Sequence, residues 1–170
     1  MNMFEPETAV VTSRMTSRMP PAPNHKEGEM DSYNLRRFTE AQQGVYAQVQ
    51  TELAAGCKTS HWMWFIFPQI AGLGHSATAQ KYAISSLDEA MAYLGHEVLG
   101  ARLRDCTRLV TAVNGRSIED IFGYPDHLKF HSSMTLFAHA ARDNEIFMKA
   151  LSKYWKTEFD NQTLERLKVG

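Results

Sequence analysis

Residues 60–69, which read SHWMWFIFPQ, decide whether this chain is all-helical or contains a sheet. Periodicity cannot distinguish a buried strand from a buried helix in an apolar run this short. A lone strand in a helical chain would leave its backbone N–H and C=O groups without partners, so a helix is favoured. Ser60 is positioned to cap that helix, and Pro68 disfavours helical geometry at Phe67 and ends it. We predict a short helix here and keep a buried strand as the alternative.

Apolar residues recur at helical spacing through the rest of the chain from residue 31 onward. This pattern predicts further helices over residues 31–55, 86–94, 99–113, 117–122, 126–138, 144–155 and 160–167. Gly56 is a natural stop for the first of these, because glycine takes the left-handed conformation at little cost. The start signals of later helices are a capping box of Ser86 and Glu89 and the capping residues Asp126, Asn144 and Asp160. With no period-two alternation and no solenoid repeat, the prediction is an all-α, compact single-domain bundle of about seven helices.

Composition changes near residue 30. Residues 1–30 hold four of the six prolines and one aromatic residue, Phe4, so they can bury too little apolar surface to offset their ordering entropy. We predict a disordered tail over residues 1–30 and a helical domain over residues 31–170. An alternative is that translation starts at Met30, in which case the tail is not part of the protein.

Charge and cysteine content limit the classes of partner. The chain has 18 Lys+Arg against 19 Asp+Glu, a formal net charge of −1, which gives no electrostatic reason to expect nucleic acid or an anionic membrane. Its longest apolar run, residues 62–67, is far shorter than the roughly 20 residues that span a bilayer. Cys57 and Cys106 cannot form a disulfide scaffold, so a cytoplasmic location is predicted.

The first candidate site lies in the aromatic string itself. Tryptophan and phenylalanine are typical core residues, and burial alone accounts for much of the string. His61 and Gln69 need hydrogen-bond partners if they are buried. A pocket walled by Trp64 and Phe67, with these polar groups at its rim, would suit a flat ring.

A second cluster follows at residues 126–135. Lys129, Ser132 and Ser133 are neighbours on one predicted helix and could hold a phosphate or carboxylate, although a helix-surface lysine is more usually solvated. His127 and His131 share a face at spacing i, i+4, but no acidic residue joins them there, so no metal is predicted. Residues 72–77 read GLGHSA and fit G-x-G-x-x-A, yet Pro68 lies in the strand that should precede such a loop and no second βα unit follows it. No cofactor is therefore predicted.

These clusters combine into a small-molecule site. In this hypothesis Trp64 stacks a ring, Gln42 and Gln69 read its polar edge, and His61 acts as acid or base because its ordinary pKa is near neutrality. The predicted catalytic residues are His61, Lys129 and Ser132, and the predicted ligand-binding residues are Gln42, Trp64, Gln69 and Ser133. The ligand class is nucleotide-like or sugar-phosphate-like. The alternative is a non-catalytic module that binds a protein through an exposed Trp62 or Trp64.

Several strings resemble one bacterial family, domain of unknown function 1810. They are LRRF with AQ at residues 35–42, SHWMWFIFPQ at 60–69, GLG at 72–74, YAI at 82–84, LGARL at 99–103 and SSMTLF at 132–137. The resemblance implies a compact all-helical fold and brings no established function. The chain departs from the family where His96 is followed by Glu97 rather than proline. Some members are labelled calpastatin, but calpastatin-like inhibitory segments are disordered and poor in aromatic residues, unlike this chain.

A weaker similarity is to N-glycosidases of the NADAR type, which act on compounds related to NAD and ADP-ribose. It rests on His61 at the start of an aromatic helix that begins with Ser60, and on LGAR at residues 99–102. The similarity implies an N-glycosidase or other hydrolase. Such an enzyme needs a carboxylate to stabilise an oxocarbenium ion or activate water, whereas position 61 offers histidine.

Overall fold

The structure is a computed structural model that describes residues 31–168. In that part of the chain it has ten helices, of which seven have at least seven residues, and no strand. The helices are α1 (Arg36–Gln43), α2 (Tyr46–Ala54), α3 (Met63–Ile66), α4 (Ala77–Lys81), α5 (Leu87–Gly95), α6 (Glu97–Ala112), α7 (Ile118–Phe122), α8 (Asp126–Ala140), α9 (Glu145–Trp155) and α10 (Asn161–Lys168). The all-α prediction is confirmed. The predicted disordered tail, residues 1–30, lies outside the described residues.

The helix predicted over residues 31–55 is in fact two helices, α1 and α2, separated at Gly44. Glycine is a poor helix former. The Gln42 side chain also turns into the interior, where its Nε2 donates to the Phe65 carbonyl at 2.7 Å. The predicted stop is confirmed, because Gly56 follows α2 with φ +64°.

The aromatic string forms a helix, as predicted, but only over the four residues of α3. Phe67 leaves helical geometry at φ −123° and ψ 71°, ahead of Pro68. The prediction that Ser60 caps this helix is wrong. Trp62 occupies the capping position without a side-chain hydrogen bond, and the Ser60 hydroxyl donates to Glu52 at 2.6 Å.

A single buried carboxylate fixes the start of the string. Glu52 on α2 accepts hydrogen bonds from Gln48, from the amides and hydroxyls of Thr59 and Ser60, and from Trp62 Nε1 at 2.8 Å. Burial alone would raise the pKa of Glu52, but these hydrogen bonds outweigh it and hold the pKa at about 2. Glu52 therefore anchors the approach to α3.

Capping follows the sequence only in part. Ser117 and Asp120 form a complete capping box at α7. Ser86 caps α5 through the Glu89 amide, but the predicted box is incomplete because the Glu89 carboxylate binds Ser85 and Arg37 instead.

The three single capping residues also differ from one another. Asp160 accepts from the Thr163 amide at 3.0 Å and so caps α10 as predicted. Asn144 occupies the capping position of α9, but its side chain donates to Ala138. Asp126 lies inside α8 rather than at its cap, and its carboxylate contacts two lysines described below.

The core is centred on α8, which packs against α3, α5, α7, α9 and α10. Phe67 and Phe130 meet edge to face with ring centroids 4.8 Å apart, and Phe122 lies 4.9 Å from Phe130. These aromatic contacts fix the end of α3 against the first half of α8. Within residues 31–168 no helix has the length and apolarity that crossing a membrane requires.

Candidate functional site

A cleft of about 470 Å³ opens between α3, the loop before α4, the first half of α8 and the start of α10. Its apolar lining is Trp64, Leu73, Gly74, Ala79, Pro125 and Leu128. Its polar lining is Gln69, His75, Lys129, His131, Ser132, Asp160 and Gln162, with Ser76 at the loop. Four of the seven predicted site residues, Trp64, Gln69, Lys129 and Ser132, therefore line one cleft.

An ammonium group and an indole ring face each other in this cleft. Lys129 Nζ lies 4.7 Å from the centroid of the Trp64 ring, within the range of a cation–π contact. The same Nζ donates to Asp126 Oδ1 at 2.8 Å. The two groups come from helices α3 and α8, which are far apart in sequence, so tertiary packing alone brings them together.

Asp126 lies between two lysines. Its Oδ2 is 2.7 Å from Nζ of Lys58, whose side chain is 7% exposed, and its Oδ1 contacts Lys129, whose side chain is 21% exposed. Burial acts to raise the pKa of Asp126, but hydrogen bonds and charges from both lysines outweigh it and lower that pKa. One carboxylate facing two ammonium groups leaves one positive charge uncompensated, and Lys129 is the lysine that reaches the cleft.

Several polar groups of the lining have no protein partner. Within residues 31–168 the Trp64 indole N–H and the side-chain amides of Gln69 and Gln162 make no hydrogen bond. Groups like these are available to a ligand without breaking a hydrogen bond to the protein. The cleft thus offers an indole ring, amide donors and acceptors, one ammonium group and the Asp160 carboxylate.

Ser132 lines the cleft but is already hydrogen-bonded. Its hydroxyl lies 3.1 Å from the Leu128 carbonyl and 3.0 Å from Asp160 Oδ2. The same Oδ2 also accepts from the Thr163 amide at 3.0 Å and the Thr163 hydroxyl at 2.6 Å. Ser132 therefore orients Asp160 at the wall of the cleft.

Gln42 does not line the cleft, although it was predicted to bind the ligand. Its Nε2 lies 2.7 Å from the Phe65 carbonyl and 3.2 Å from the Tyr93 hydroxyl, and its Oε1 accepts from Arg102 at 3.2 Å. All of its hydrogen-bonding groups are engaged inside the protein. Its place is structural, joining α1 to α3, α5 and α6.

His61 and Ser133 also lie away from the cleft lining. His61 is exposed just before α3. Ser133 is completely buried on α8, and its hydroxyl makes no hydrogen bond within the described part of the chain. Neither side chain is placed with Lys129 and Trp64.

The cleft contains residues that sequence reasoning had not assigned to a ligand site: His75, His131, Asp160 and Gln162. His131 stacks on Trp155 with centroids 4.2 Å apart, and its Nε2 lies 2.8 Å from the Glu158 carbonyl. Asp160 carried a signal, but the signal indicated only a helix cap.

The two histidines at spacing i, i+4 have separate partners. His131 is directed to Glu158, whereas His127 Nδ1 lies 3.1 Å from the Gly123 carbonyl. In residues 31–168 no group of three or more His, Cys, Asp or Glu side chains is arranged to hold a metal ion.

Backbone geometry and close packing explain the two glycines of the GLGHSA loop. Gly72 has φ +91°, and its carbonyl accepts from Arg166 at 3.2 Å. A Cβ at Gly74 would lie 2.5 Å from that of Ala79, so only glycine allows the loop to approach α4 this closely. Within residues 31–168 the only β pairing is the isolated parallel bridge Ile70–Ile84, so the loop does not follow a strand as a dinucleotide-binding loop does.

The interaction-module alternative expected a tryptophan on a convex surface. For Trp62 this expectation is wrong, because its side chain is 1% exposed and its Nε1 donates to Glu52. Trp64 is half-buried and lines the concave cleft.

A second groove of about 440 Å³ lies between α6 and α9. Its charged lining is Arg104, Arg108, Asp143, Glu145 and Lys149. The absence of an aromatic wall makes this groove a weaker candidate than the Trp64 cleft.

Comparison with known proteins gives a family and a related fold. The chain is similar to the conserved hypothetical protein Rv1873 from Mycobacterium tuberculosis, whose crystal structure superimposes with a TM-score of 0.81 at 54% sequence identity, covering 82% of this chain and 100% of that chain. No curated protein matches the chain significantly. The sequence profile of a family described as "Protein of unknown function (DUF1810)" matches residues 32–167. The match covers most of the chain, so this protein belongs to the DUF1810 family.

Proposed function

We propose that this protein binds a small anionic molecule with a flat ring, nucleotide-like or sugar-phosphate-like, in the Trp64 cleft. The observation that carries the proposal is the Lys129 ammonium, 4.7 Å from the Trp64 ring, in a cleft whose amides have no partners among the described residues. Lys129, Trp64 and Gln69 are the central binding residues.

Charge supports an anionic ligand. Asp126 neutralises one of its two lysines, so Lys129 keeps a positive charge at its part of the cleft, whereas the Asp160 carboxylate adds a negative charge elsewhere in the lining. Because Lys129 is partly shielded from water, its attraction for a phosphate or carboxylate is stronger than that of a fully solvated lysine.

Shape supports a ring next to the anion. A ligand whose anionic group contacts Lys129 has its neighbouring atoms within reach of the indole, and stacking on an aromatic side chain contributes about 1–3 kcal/mol per base. Gln69 and Gln162 then face the polar edge of that ring. The volume of about 470 Å³ is that of a small-ligand site.

Any reaction in this cleft needs a group that moves a proton. His75, His131 and Asp160 are the cleft residues able to do so. Lys129 would donate to the ligand, and Ser132, whose hydroxyl is bonded inside the protein, would act by orienting Asp160. The two cysteines, Cys57 and Cys106, are free thiols, which supports a cytoplasmic location for this function.

Isothermal titration with adenosine 5′-monophosphate tests the binding proposal. We expect the wild-type protein to bind it, and Trp64→Leu and Lys129→Met each to weaken binding at least tenfold, about 1.4 kcal/mol. Lys149→Met, an exposed lysine on α9 outside this cleft, is the matched charge control and is expected to bind like wild type. Absence of binding by the wild type, or full affinity in both cleft variants, would overturn the proposal.

A further inference from the structure

We propose that Asp160 determines which ligands the cleft accepts, because its unoccupied carboxylate oxygen takes a hydrogen bond from a ligand hydroxyl. The ligand is then a hydroxylated phosphate ester, that is, a sugar phosphate or the ribosyl phosphate part of a nucleotide. This inference rests on the proposed binding function of the cleft.

The two oxygens of Asp160 have different surroundings. Oδ2 receives the Thr163 amide and hydroxyl and lies 3.0 Å from the Ser132 hydroxyl. Oδ1 receives no hydrogen bond from residues 31–168, although Asp160 lines the cleft. A carboxylate has about four acceptor positions, so half of the capacity of this side chain is left for a molecule in the cleft.

The bonds to Oδ2 also make Oδ1 a fixed group. They come from two helices, Ser132 on α8 and Thr163 on α10, and Thr163 is completely buried. The Thr163 amide also donates to Asp160 Oδ2 as the capping bond of α10, and this bond holds the backbone in place. A polar group already oriented by its neighbours gives specificity without the entropy cost of ordering it on binding.

The kind of partner follows from charge. Asp160 makes no ion pair within the described chain, whereas Lys129 is held by Asp126 and does not neutralise it. A second phosphate at this end of the cleft would be repelled by Asp160. A neutral hydroxyl donates to a carboxylate without carrying charge into the cleft, and such bonds to charged acceptors contribute more than neutral ones.

A cleft with an ammonium group and a carboxylate selects ligands that carry both complementary features. Lys129 takes the phosphate and Asp160 takes the hydroxyl, so a sugar phosphate satisfies both residues. An amine-bearing phosphate would also satisfy both and is the main competitor. The two classes differ in charge at the Asp160 end, and direct titration separates them.

The test compares three probes by isothermal titration: ribose 5-phosphate, butyl phosphate, which lacks the hydroxyls, and phosphoethanolamine, which replaces them with an amine. We expect wild type to bind ribose 5-phosphate at least tenfold more tightly than either other probe. Asp160→Asn is expected to reduce this preference at least fivefold, because asparagine still caps α10 but presents a neutral side chain. Glu165→Gln, which neutralises an exposed carboxylate of α10 outside the cleft lining, is expected to keep the wild-type preference.

The outcomes separate the two proposals. Equal wild-type affinity for ribose 5-phosphate and butyl phosphate overturns the role of Asp160 while leaving the anion site intact, and tighter binding of phosphoethanolamine does the same. An unchanged preference in Asp160→Asn also overturns it. If the wild type binds none of the three phosphates, the proposed binding function of the cleft is itself overturned. If Asp160→Asn does not fold, the wild-type preference for ribose 5-phosphate decides the question.

Discussion

Trp62 and Trp64 stand two residues apart in one string, yet they belong to different regions of the molecule. Trp62 is 1% exposed and donates its indole N–H to Glu52 at 2.8 Å. Trp64 is half-buried, has Lys129 Nζ over its ring, and its indole N–H makes no hydrogen bond to the described part of the chain. The difference shows that residue type alone does not separate core from candidate site. What separates them is whether the polar atoms already have partners.

Gln42 and Gln69 repeat this contrast. Gln42 is 1% exposed, and its amide contacts Phe65, Tyr93 and Arg102. Gln69 is half-buried at the cleft, and its side chain makes no hydrogen bond within residues 31–168. Both glutamines are predicted from the sequence to bind the ligand, but only Gln69 lines the cleft, so ligand binding stays a prediction for Gln69 alone.

Truncating Trp62 and truncating Trp64 should lower the free energy of unfolding by different amounts. Trp62→Ala is expected to lower the free energy of unfolding by about 3–5 kcal/mol, as for other buried aromatic residues, and it also leaves the Glu52 carboxylate with one donor fewer. Trp64→Ala is expected to cost about 1 kcal/mol, since the ring is only partly buried. Urea unfolding measures both values. Equal losses would contradict the division between the two tryptophans.

The pH dependence of stability tests the structural role of Glu52, the hydrogen-bond acceptor of Trp62. The pKa of Glu52 in the folded protein, about 2, lies below its ordinary value of 4.5, so its stabilisation is present above pH 4.5 and is lost as the pH falls from 4.5 toward 2. The full effect is about 3 kcal/mol. Glu52→Gln should therefore be less stable than wild type at pH 7, with a gap that narrows at pH 3.5 in urea unfolding.

A matched carboxylate controls this experiment. Glu40 is exposed and pairs only with Arg36 on the surface of α1, so Glu40→Gln is expected to change the free energy of unfolding by less than about 0.5 kcal/mol at every pH. A gap for Glu52→Gln that stays constant from pH 7 to pH 3.5 would show that the Glu52 carboxylate is not the titrating group.

The glutamine pair gives the smallest expected effects. Gln42→Ala leaves the Phe65 carbonyl without its donor and is expected to cost about 2 kcal/mol in urea unfolding. Gln69→Ala is expected to change stability by less than about 0.5 kcal/mol, because its side chain holds no protein group. A larger loss for Gln69→Ala than for Gln42→Ala would reverse the assignment of the two residues.

The fold was largely accessible from sequence because its signals are local. Helical spacing, the stop at Gly56 and the capping residues Ser86 and Asp160 all act within a few positions along the chain. The break at Gly44 was missed because it also reflects Gln42, whose partners lie 23 to 60 residues away. Asp126 was taken for a cap for the same reason, since its partner Lys58 is distant in sequence.

The candidate site was accessible only in part. Trp64, Gln69, Lys129 and Ser132 belong to two dense clusters of aromatic and polar residues, which composition reveals. His61 belongs to the same string but precedes α3 and is exposed, and no pattern indicates on which side of a four-residue helix a neighbour falls. The sequence predicts Asp160 only as a helix cap. It gives no sign that the second carboxylate oxygen faces a cleft, because that depends on tertiary packing.

The start of helix α10 lines one side of the cleft, and the helix buries little of its surface against the bundle. It begins after Asp160, its only fully buried residue is Thr163, and near its end Arg166 reaches the Gly72 carbonyl. Elements with so little buried surface exchange their amide protons by local opening well before the whole protein unfolds. A bound molecule that contacts both Lys129 on α8 and Asp160 at the start of α10 would therefore hold the two helices together and slow the hydrogen exchange of α10.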